Sequence, residues 1–575
     1  MKYILRKIGK INASNFVKAS HLAQKESETG FYGIEKEFAF TNGKDLSPCQ
    51  RIGKHSSYHF VTTYGNLPSW LKKSITAEVF DYMIELNSDP CYSIIHSVRD
   101  AILGEIELWK AIDHLRNEFP NIDEIFLSQG TLFKPAQIEK QNIPEVWGED
   151  KMAYLEAMII RYGENLTPQG QHDNISIPEP LIAYQYHKVR NSKTTGSMAY
   201  VEFKNELYVW LAKQLRSFAS LIIAIEANTP FDYTYENGKS ITILTGYQTN
   251  RWLKLPQIES SNCPFMLKDY DHFQQISHKL TDEGVIIGAN NYMPVRPKGE
   301  RRLGEVPLSL ERAAWFYDIT IGKKEINSDP LLFNLKGKKH IPFLKRLKLT
   351  EKSGWLSQKG FTVRDIIETW QKDNVRRLLG VPLNRIEIRC CEAGGSMEIE
   401  IAKAAFIKTL SFYIFSNPDF GAAFEYNEKD LNRVTQNELQ AAKYGLNGTI
   451  IHPHTGKKIN MRDFLKATMS EIEKIAKDIG TYNYLKSIYE YSKGQKNEAE
   501  KTIEMTMESL GKNYQKTRSG KIIVPEEIIR KKLEMRRYYV YELSRKLKTN
   551  NTSEIITKEY SVKNLNKDLS HSYKY

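Results

Sequence analysis

The sequence predicts an α+β fold built on a mainly antiparallel sheet. Several short segments alternate apolar and polar residues with period two, the signature of a strand with one buried face. Longer segments repeat apolar residues at helical spacing. The two kinds of segment do not alternate as regular βα units, which a doubly wound parallel sheet would require. With 575 residues, 41% of them hydrophobic, the chain can bury a large core and carry appendages.

Residues 31–40 predict a strand, including "GIEKEFAF" at 33–40, with Glu35 and Glu37 on one face and Ile34, Phe38 and Phe40 on the other. "ITAEVFDYMIEL", residues 75–86, predicts a turn or short helix running into a strand. On that strand Asp81, Met83 and Glu85 share one face, and Tyr82, Ile84 and Leu86 the other. Residues 93–119 predict a helix from Ile94, Val98, Ile102, Ile106, Leu108 and Ile112. "HDNISI" at 172–177 predicts a strand that aligns His172, Asn174 and Ser176. Residues 200–227 predict a second helix, whose stripe of Leu207, Leu211, Leu215, Phe218 and Leu221 is core packing. Further strands are expected at "YMPVR" (292–296) and "RIEIR" (385–389), the latter aligning Arg385, Glu387 and Arg389.

After about residue 456 the composition shifts. Residues 462–548 are rich in Lys, Glu, Ile, Leu and Met, and Ile529, Leu533, Val540, Leu543 and Leu547 form a helical stripe interrupted by Arg536. The expected organisation is a main domain over 1–455 and a mainly helical region over 456–575 that packs on it, ending in a polar tail.

The formal net charge of +13 is spread along the chain and does not by itself select a partner. "IIRKKLEMRRYYVYELSRKLK" (528–548) interleaves cations with aromatics, which suits nucleic acid. A packed amphipathic helix with a basic outer face is the preferred reading. The five cysteines are scattered without a CxxC, which fits a reducing compartment. Cys390 and Cys391 read as buried small residues. His452 and His454 in "IIHPHTGKKI" read as a turn. The N-terminus lacks an apolar signal segment, and the longest apolar run, at 221–227, is far short of a membrane span. A soluble cytoplasmic protein with no membrane partner is expected. Its oligomeric state is not legible.

An acidic strand face taken alone is usually a solvated surface. Here the segments at 33–40, 81–86, 172–177 and 385–389 each carry one apolar face and one face of acids, His, Asn or Arg. Carboxylates with one His and no thiolate cluster suit hard divalent cations, Mg²⁺ or Mn²⁺. Arginines suit phosphate through their planar fork. Together these suggest phosphoryl-transfer chemistry. No GxxxxGK is present, no GxGxxG follows a strand, and no GxSxG occurs, so P-loop, dinucleotide and α/β-hydrolase readings lose support.

Six segments in order resemble the glutamate–cysteine ligases and their carboxylate–amine ligase relatives. "GIEKEFAF" is similar to the family's G-x-E-x-E strand, and "ITAEVFDYMIELNSDP" to its second acidic segment, with Glu78 and Glu85 at the acidic positions. "QHDNISIP", "ANTPFDY…TGYQTNRW", "YMPVRPKGERRLGEVP" and "LLGVPLNRIEIRCCEAG" resemble the later motifs, with Glu392 where the family usually has Asp. The resemblance covers roughly residues 31–410. It implies a curved sheet of the glutamine-synthetase type with flanking helices. It also implies ATP-dependent ligation of the glutamate side-chain carboxylate to an amine, cysteine first among the candidates, with another amine or a peptide as the alternative. By position it implies two or three Mg²⁺ (or Mn²⁺) ions held by Glu35, Glu37, Glu78, Glu85, His172 and Glu387. It places Arg296, Lys298 and Arg389 on ATP phosphates, with Arg296, Arg389 and Glu387 catalytic. Asn174 and Arg251 would meet glutamate carboxylates, and Tyr247 and Tyr292 would line the acceptor pocket.

Overall fold

The computed structural model describes residues 32–88, 94–147, 163–177, 207–254, 317–320, 385–417 and 428–549, apart from scattered positions inside those ranges, together with the isolated positions 152, 155, 159 and 182. In chain order the first half carries β1 (Tyr32–Asn42), α1 (Ser57–Tyr64), β2 (Ile75–Ala77), β3 (Met83–Asn87), α2 (Ile94–Glu118), β4 (Ile125–Ser128), β5 (Gln171–Ile175), α3 (Ala219–Glu226), β6 (Phe231–Glu236), β7 (Lys239–Leu244) and α4 (Asn250–Lys254). There follow β8 (Tyr317–Thr320), β9 (Arg385–Cys391), α5 (Met397–Ser416), α6 (Glu428–Tyr444), β10 (Thr449–Ile451), β11 (Lys458–Asn460), α7 (Met461–Asp478), α8 (Lys486–Ser492), α9 (Glu498–Leu510), β12 (Ile522–Ile523) and α10 (Glu526–Thr549).

The main sheet has seven strands in the order β2-β3-β1-β5-β9-β8, with β4 pairing a second stretch of β1. Every strand pairing in it is antiparallel, as the irregular order of the sequence segments predicts. One face of β1 is apolar: Ile34, Phe38 and Phe40 are buried against a core that includes Val98, Ile106 and Trp109 of α2 and Phe406 and Leu410 of α5. The expected strand at "YMPVR" lies outside the described residues.

Two segments differ from expectation. In 75–86 the expected turn into a strand is present, ahead of β3 and without a helix, and the departure is that Ile75–Ala77 forms a further strand pairing with β3. Burial of Ile75 and Ala77 on the apolar face, opposite Leu86 and Ile84, decides it. The helical stretch across 200–227 is broken at Ser217 and Phe218, whose amides bond back only three residues, to Gln214 and Leu215. Its stripe of Leu207, Leu211, Leu215, Phe218 and Leu221 is nonetheless buried in the core.

Lys36 stands between the two glutamates of β1 and points to the opposite, buried face. A lone ammonium there would be prohibitively unfavourable. Its Nζ lies 2.5 Å from Glu400 Oε1 on α5 and 3.6 Å from Glu105 Oε2 on α2. Glu105 in turn receives both sides of the Arg536 guanidinium from α10, at 2.9 Å and 2.7 Å, while Arg536 also donates to the Gly395 carbonyl at 2.7 Å. Burial alone would raise the Glu105 carboxyl; Arg536 and then Lys36 overcome it and hold the group below its usual range. The cation that interrupts the apolar stripe of α10 therefore ties the helix to the body.

The rest of the C-terminal region is bound in the same way. β12 adds to the β6–β7 hairpin as a third strand. Asn497 caps α9 and donates to Ala224 O at 3.0 Å and Gln248 Oε1 at 2.7 Å. Arg530 donates to Gly43 O at 2.7 Å, and Arg537 and Tyr541 both bond Asp113. Arg530, Arg536 and Arg537 thus bind the body, which weakens a nucleic-acid reading of this basic helix. The expected boundary between 455 and 456 falls in the turn joining β10 and β11, where His452 Nδ1 accepts the amides of His454 and Thr455. That is the turn role expected for His452.

Replacing Arg536 by Leu leaves Glu105 buried with half its countercharge. The expected cost is on the order of 3 kcal/mol, measured as a lowered urea midpoint at unchanged slope, with Arg536→Lys intermediate because it keeps charge but not the fork.

Candidate active site

The face of β1 opposite the core carries the chemistry. Cross-strand register sets its partners: Glu35 lies opposite His172, Glu37 opposite Glu85, and Asn174 opposite Glu387. His172 is the hub. Its Nδ1 is 3.3 Å from Glu35 Oε2 and 3.5 Å from Glu387 Oε1, and its Nε2 is 3.4 Å from Glu37 Oε1. Burial, reinforced by the neighbouring Arg389 and only partly opposed by the glutamates, pushes the imidazole down to about 4, so the ring is neutral at pH 7.

Each carboxylate is aimed by a local bond. Asn174 Nδ2 donates to Glu35 Oε1 at 3.0 Å. The Gly170 amide donates to Glu37 Oε2 at 2.6 Å. Thr76 and Asn87 donate to Glu85 Oε1 at 3.0 Å and 2.9 Å. Glu78 follows β2 directly and is buried, its Oε2 accepting the Val79 amide at 2.8 Å and its backbone carbonyl accepting from Trp147 Nε1 at 3.1 Å. Arg389 Nη1 bonds Glu387 Oε1 on the same strand.

Two overlapping donor sets result, Glu35–Glu85–His172 and Glu37–Glu78–Glu85, each with its ligand atoms within 4.8 Å of one another. Burial, and then Glu35, Glu78 and Glu37, drive the Glu85 carboxyl well above its usual range. The crowding favours a divalent cation, and a set of carboxylate oxygens with one neutral imidazole fits Mg²⁺ or Mn²⁺.

Beside this cluster lies Arg251, buried, with Nη2 3.4 Å from the Arg389 carbonyl and with Nε and Nη1 lacking hydrogen-bond partners. Its guanidinium packs on Gly170, where a Cβ would stand 1.8 Å from Nη2. A side chain at 170 would have to push that guanidinium aside. Asn174 Oδ1 is likewise buried without a partner. Unpartnered donors on a buried arginine suit an anionic ligand.

The structure therefore brings together Glu35, Glu37, Glu78, Glu85, His172, Asn174, Arg251, Glu387 and Arg389. Arg296, Lys298 and Tyr292 lie outside the described residues. The Tyr247 ring packs under Lys443 and Lys521, with the ammoniums 5.8 Å and 5.1 Å from its centre. Asp81, grouped with Glu85 by strand alternation, is not in the cluster: β3 begins only at Met83, and Asp81 pairs with Arg51 at 3.2 Å. Sequence reasoning missed Gly170 and the clamp at Glu392, whose oxygens accept from Asn228 N at 2.6 Å and Thr229 Oγ1 at 2.7 Å. The signal for Gly170 was only its place two residues before His172. Cys391 does not join the site. A bulge sets Gln171 opposite Cys391 but Asp173 opposite Ile388, so the extra residue turns Cys391 to the core face, beside Asp173 and Glu226. Burial there pushes its thiol up and leaves it inert.

The family model for glutamate–cysteine ligase family 2 matches residues 198–521, more than half of the chain. The chain belongs to glutamate–cysteine ligase family 2. A provisionally named glutamate–cysteine ligase 2 of Herminiimonas arsenicoxydans is 30% identical over 96 residues, 17% of this chain and 25% of that protein. A counterpart from Legionella pneumophila strain Corby is 29% identical over 105 residues, 18% of this chain and 27% of that protein. The matches thus span about a quarter of these relatives' length. Among solved structures, the fold is similar to glutamate–cysteine ligase from Francisella tularensis in complex with AMP, with a TM-score of 0.52 and 13% identity over 93% of this chain and 98% of that one. It is also similar to a bifunctional glutathione synthetase from Pasteurella multocida, with a TM-score of 0.53 and 12% identity over 92% of this chain and 55% of that one. The expected α+β ligase fold is borne out. Among the described residues no helix is long and apolar enough to cross a membrane.

Burial and the neighbouring glutamates raise the Glu85 carboxyl, so a cation binding there competes with a proton. Mn²⁺ affinity, followed by electron paramagnetic resonance, is expected to rise with pH and to lose that slope in Glu85→Gln. Gly170→Ala is expected to displace Arg251 and lower the melting temperature.

Proposed function

We propose that this chain joins the side-chain carboxylate of glutamate to an amine at the expense of ATP, with cysteine as the amine and γ-glutamylcysteine as the product. The observation that carries this reading is the convergence of Glu35, Glu37 and Glu387 on His172, with Arg389 and the unsatisfied Arg251 beside them. Family membership supports a ligase, and the reading goes beyond that in naming both substrates.

The reaction must bring a carboxylate against a triphosphate. Two like unit charges 4 Å apart oppose each other by about 4 kcal/mol at an effective dielectric near 20. Mg²⁺, as two or three ions on Glu35, Glu37, Glu78, Glu85, His172 and Glu387, supplies the countercharge when bound. Arg389, with Arg296 and Lys298, holds phosphate oxygens. Arg251 and Asn174 orient glutamate through its carboxylates, so that the side-chain oxygen faces the γ-phosphorus. That oxygen attacks, the γ-phosphorus–oxygen bond to ADP breaks, and an acyl phosphate forms. The amine nitrogen then adds to the acyl carbon, loses a proton and expels phosphate, leaving the amide. His172, neutral and wedged among carboxylates, keeps Glu35, Glu37 and Glu387 apart at a fixed spacing. Tyr292 and Tyr247 are proposed to border the amine pocket.

Incubation with ATP, Mg²⁺, glutamate and a panel of amines is expected to release ADP and phosphate most rapidly with cysteine. Glu35→Gln and Glu387→Gln should each lower turnover at least about a hundredfold with unchanged circular dichroism. Arg389→Lys should lose most activity, since it keeps charge without the fork. Faster release with another amine would reassign the acceptor, and no release with any amine would remove the ligase reading.

A further inference from the structure

A second cluster of metal-competent side chains lies outside the carboxylate site. His55, His59 and Glu145 place their ligand atoms within 4.8 Å of one another. His59 sits in the first turn of α1, and His55 precedes the helix's capping residue Ser56. The rings stack with centroids 4.5 Å apart and planes 15° apart.

The third member is held in place independently. Glu145 Oε1 accepts from the Ser56 amide at 3.3 Å and from its hydroxyl at 3.2 Å. Ser56 is the residue that caps α1, through His59 N. One residue thus fixes both the helix start and the carboxylate. Glu145 Oε2 has Arg51 at 3.8 Å, an ion pair longer than a hydrogen bond. Arg51 is committed more closely to Asp81, at 3.2 Å.

The donor chemistry differs from that of the active-site cluster. There, carboxylates dominate; here two imidazoles are joined by one carboxylate, a set that suits borderline transition metals and not Mg²⁺. Bonds near 2.0–2.1 Å span donors up to about 4 Å apart, so closing the site requires the two imidazoles to rotate out of their stack until a nitrogen of each points at the ion. We propose that His55, His59 and Glu145 form a transition-metal site of the Zn²⁺ class, with a fourth position open to solvent. The alternative is a surface stack in which His55 merely continues toward the Tyr64 ring, 6.0 Å away.

The site has a place in the architecture. Glu145 belongs to the segment whose Trp147 holds the Glu78 carbonyl, and Asn142 accepts the Asp81 amide through its own carbonyl. A cation bridging Glu145 to α1 would staple that segment to the helix beside an active-site carboxylate. Binding would then stabilise the folded chain.

The test uses the full chain, stripped with chelator and kept in excess MgCl₂ to occupy the carboxylate cluster. Zn²⁺ titration by calorimetry is expected to show one site that Mg²⁺ does not displace, accompanied by a rise in melting temperature. Co²⁺ should give visible d–d bands on the same protein. His55→Ala/His59→Ala and the milder Glu145→Gln should each weaken Zn²⁺ at least about tenfold, and His59→Gln guards against a fold defect in the double variant. Equal Zn²⁺ binding in wild type and the double variant, or displacement by Mg²⁺, would overturn the site. Saturation only at millimolar Zn²⁺ would mark an adventitious ion only and would overturn it as well.

Discussion

The structure depends on the mutual repulsion of Glu35, Glu37, Glu78, Glu85 and Glu387 around a single neutral imidazole. Nothing about an antiparallel sheet requires such crowding, and most sheets expose acids on a polar face to water. Here the acids are partly or wholly buried, and the cost appears directly as the raised carboxyl of Glu85. A site built this way is poised for cations, because each added positive charge relieves several repulsions at once. The hydrogen bonds from Gly170, Asn174, Thr76 and Asn87 hold the carboxylates in the crowded arrangement before any cation arrives. That is preorganisation in the electrostatic sense.

The opposite face of the same strand solves a complementary problem. Lys36 alternates with the two glutamates and therefore must enter the core. Glu400 and Glu105 neutralise it, and Arg536 neutralises Glu105. A parallel arrangement lies one strand over, where Lys403 sits 3.2 Å from Asp173 and 3.6 Å from Glu226, and Tyr32 donates to Asp173 at 2.8 Å. Burial drives Glu226 up to about 8 even with Lys403 nearby, so at neutral pH it keeps its proton. Buried ion pairs contribute little net stability, yet breaking one is strongly unfavourable. These two networks therefore act as register pins. They fix α2, α5 and α10 against the back of the strands that display the site on the front.

Much of the site was legible in the sequence. The acids of "GIEKEFAF", Glu85, His172, Asn174 and Glu387 could be sorted to one face by period-two alternation alone, and they do meet. Alternation misled at Asp81, because it holds only inside a strand and β3 begins two residues later. It also could not anticipate the bulge in β9, which turns Cys391 away from the face that unbroken alternation would give it. Arg536 looked like a defect in an apolar stripe. It bonds both oxygens of Glu105 and the Gly395 carbonyl, an attachment that depends on a residue more than four hundred positions earlier.

By itself the sequence determined the fold class, the strand faces and the chemical type of the carboxylate site. These follow from local periodicity and residue chemistry, which need no knowledge of neighbours. Only the tertiary structure decided which carboxylates converge, what lies against Gly170, and where the arginines of α10 go. Each of those is a contact between distant segments. His172 bridges three glutamates from two strands, Arg251 reaches over Gly170, and Arg536 closes on Glu105, and through-space electrostatics of that kind leaves no periodic trace in the chain.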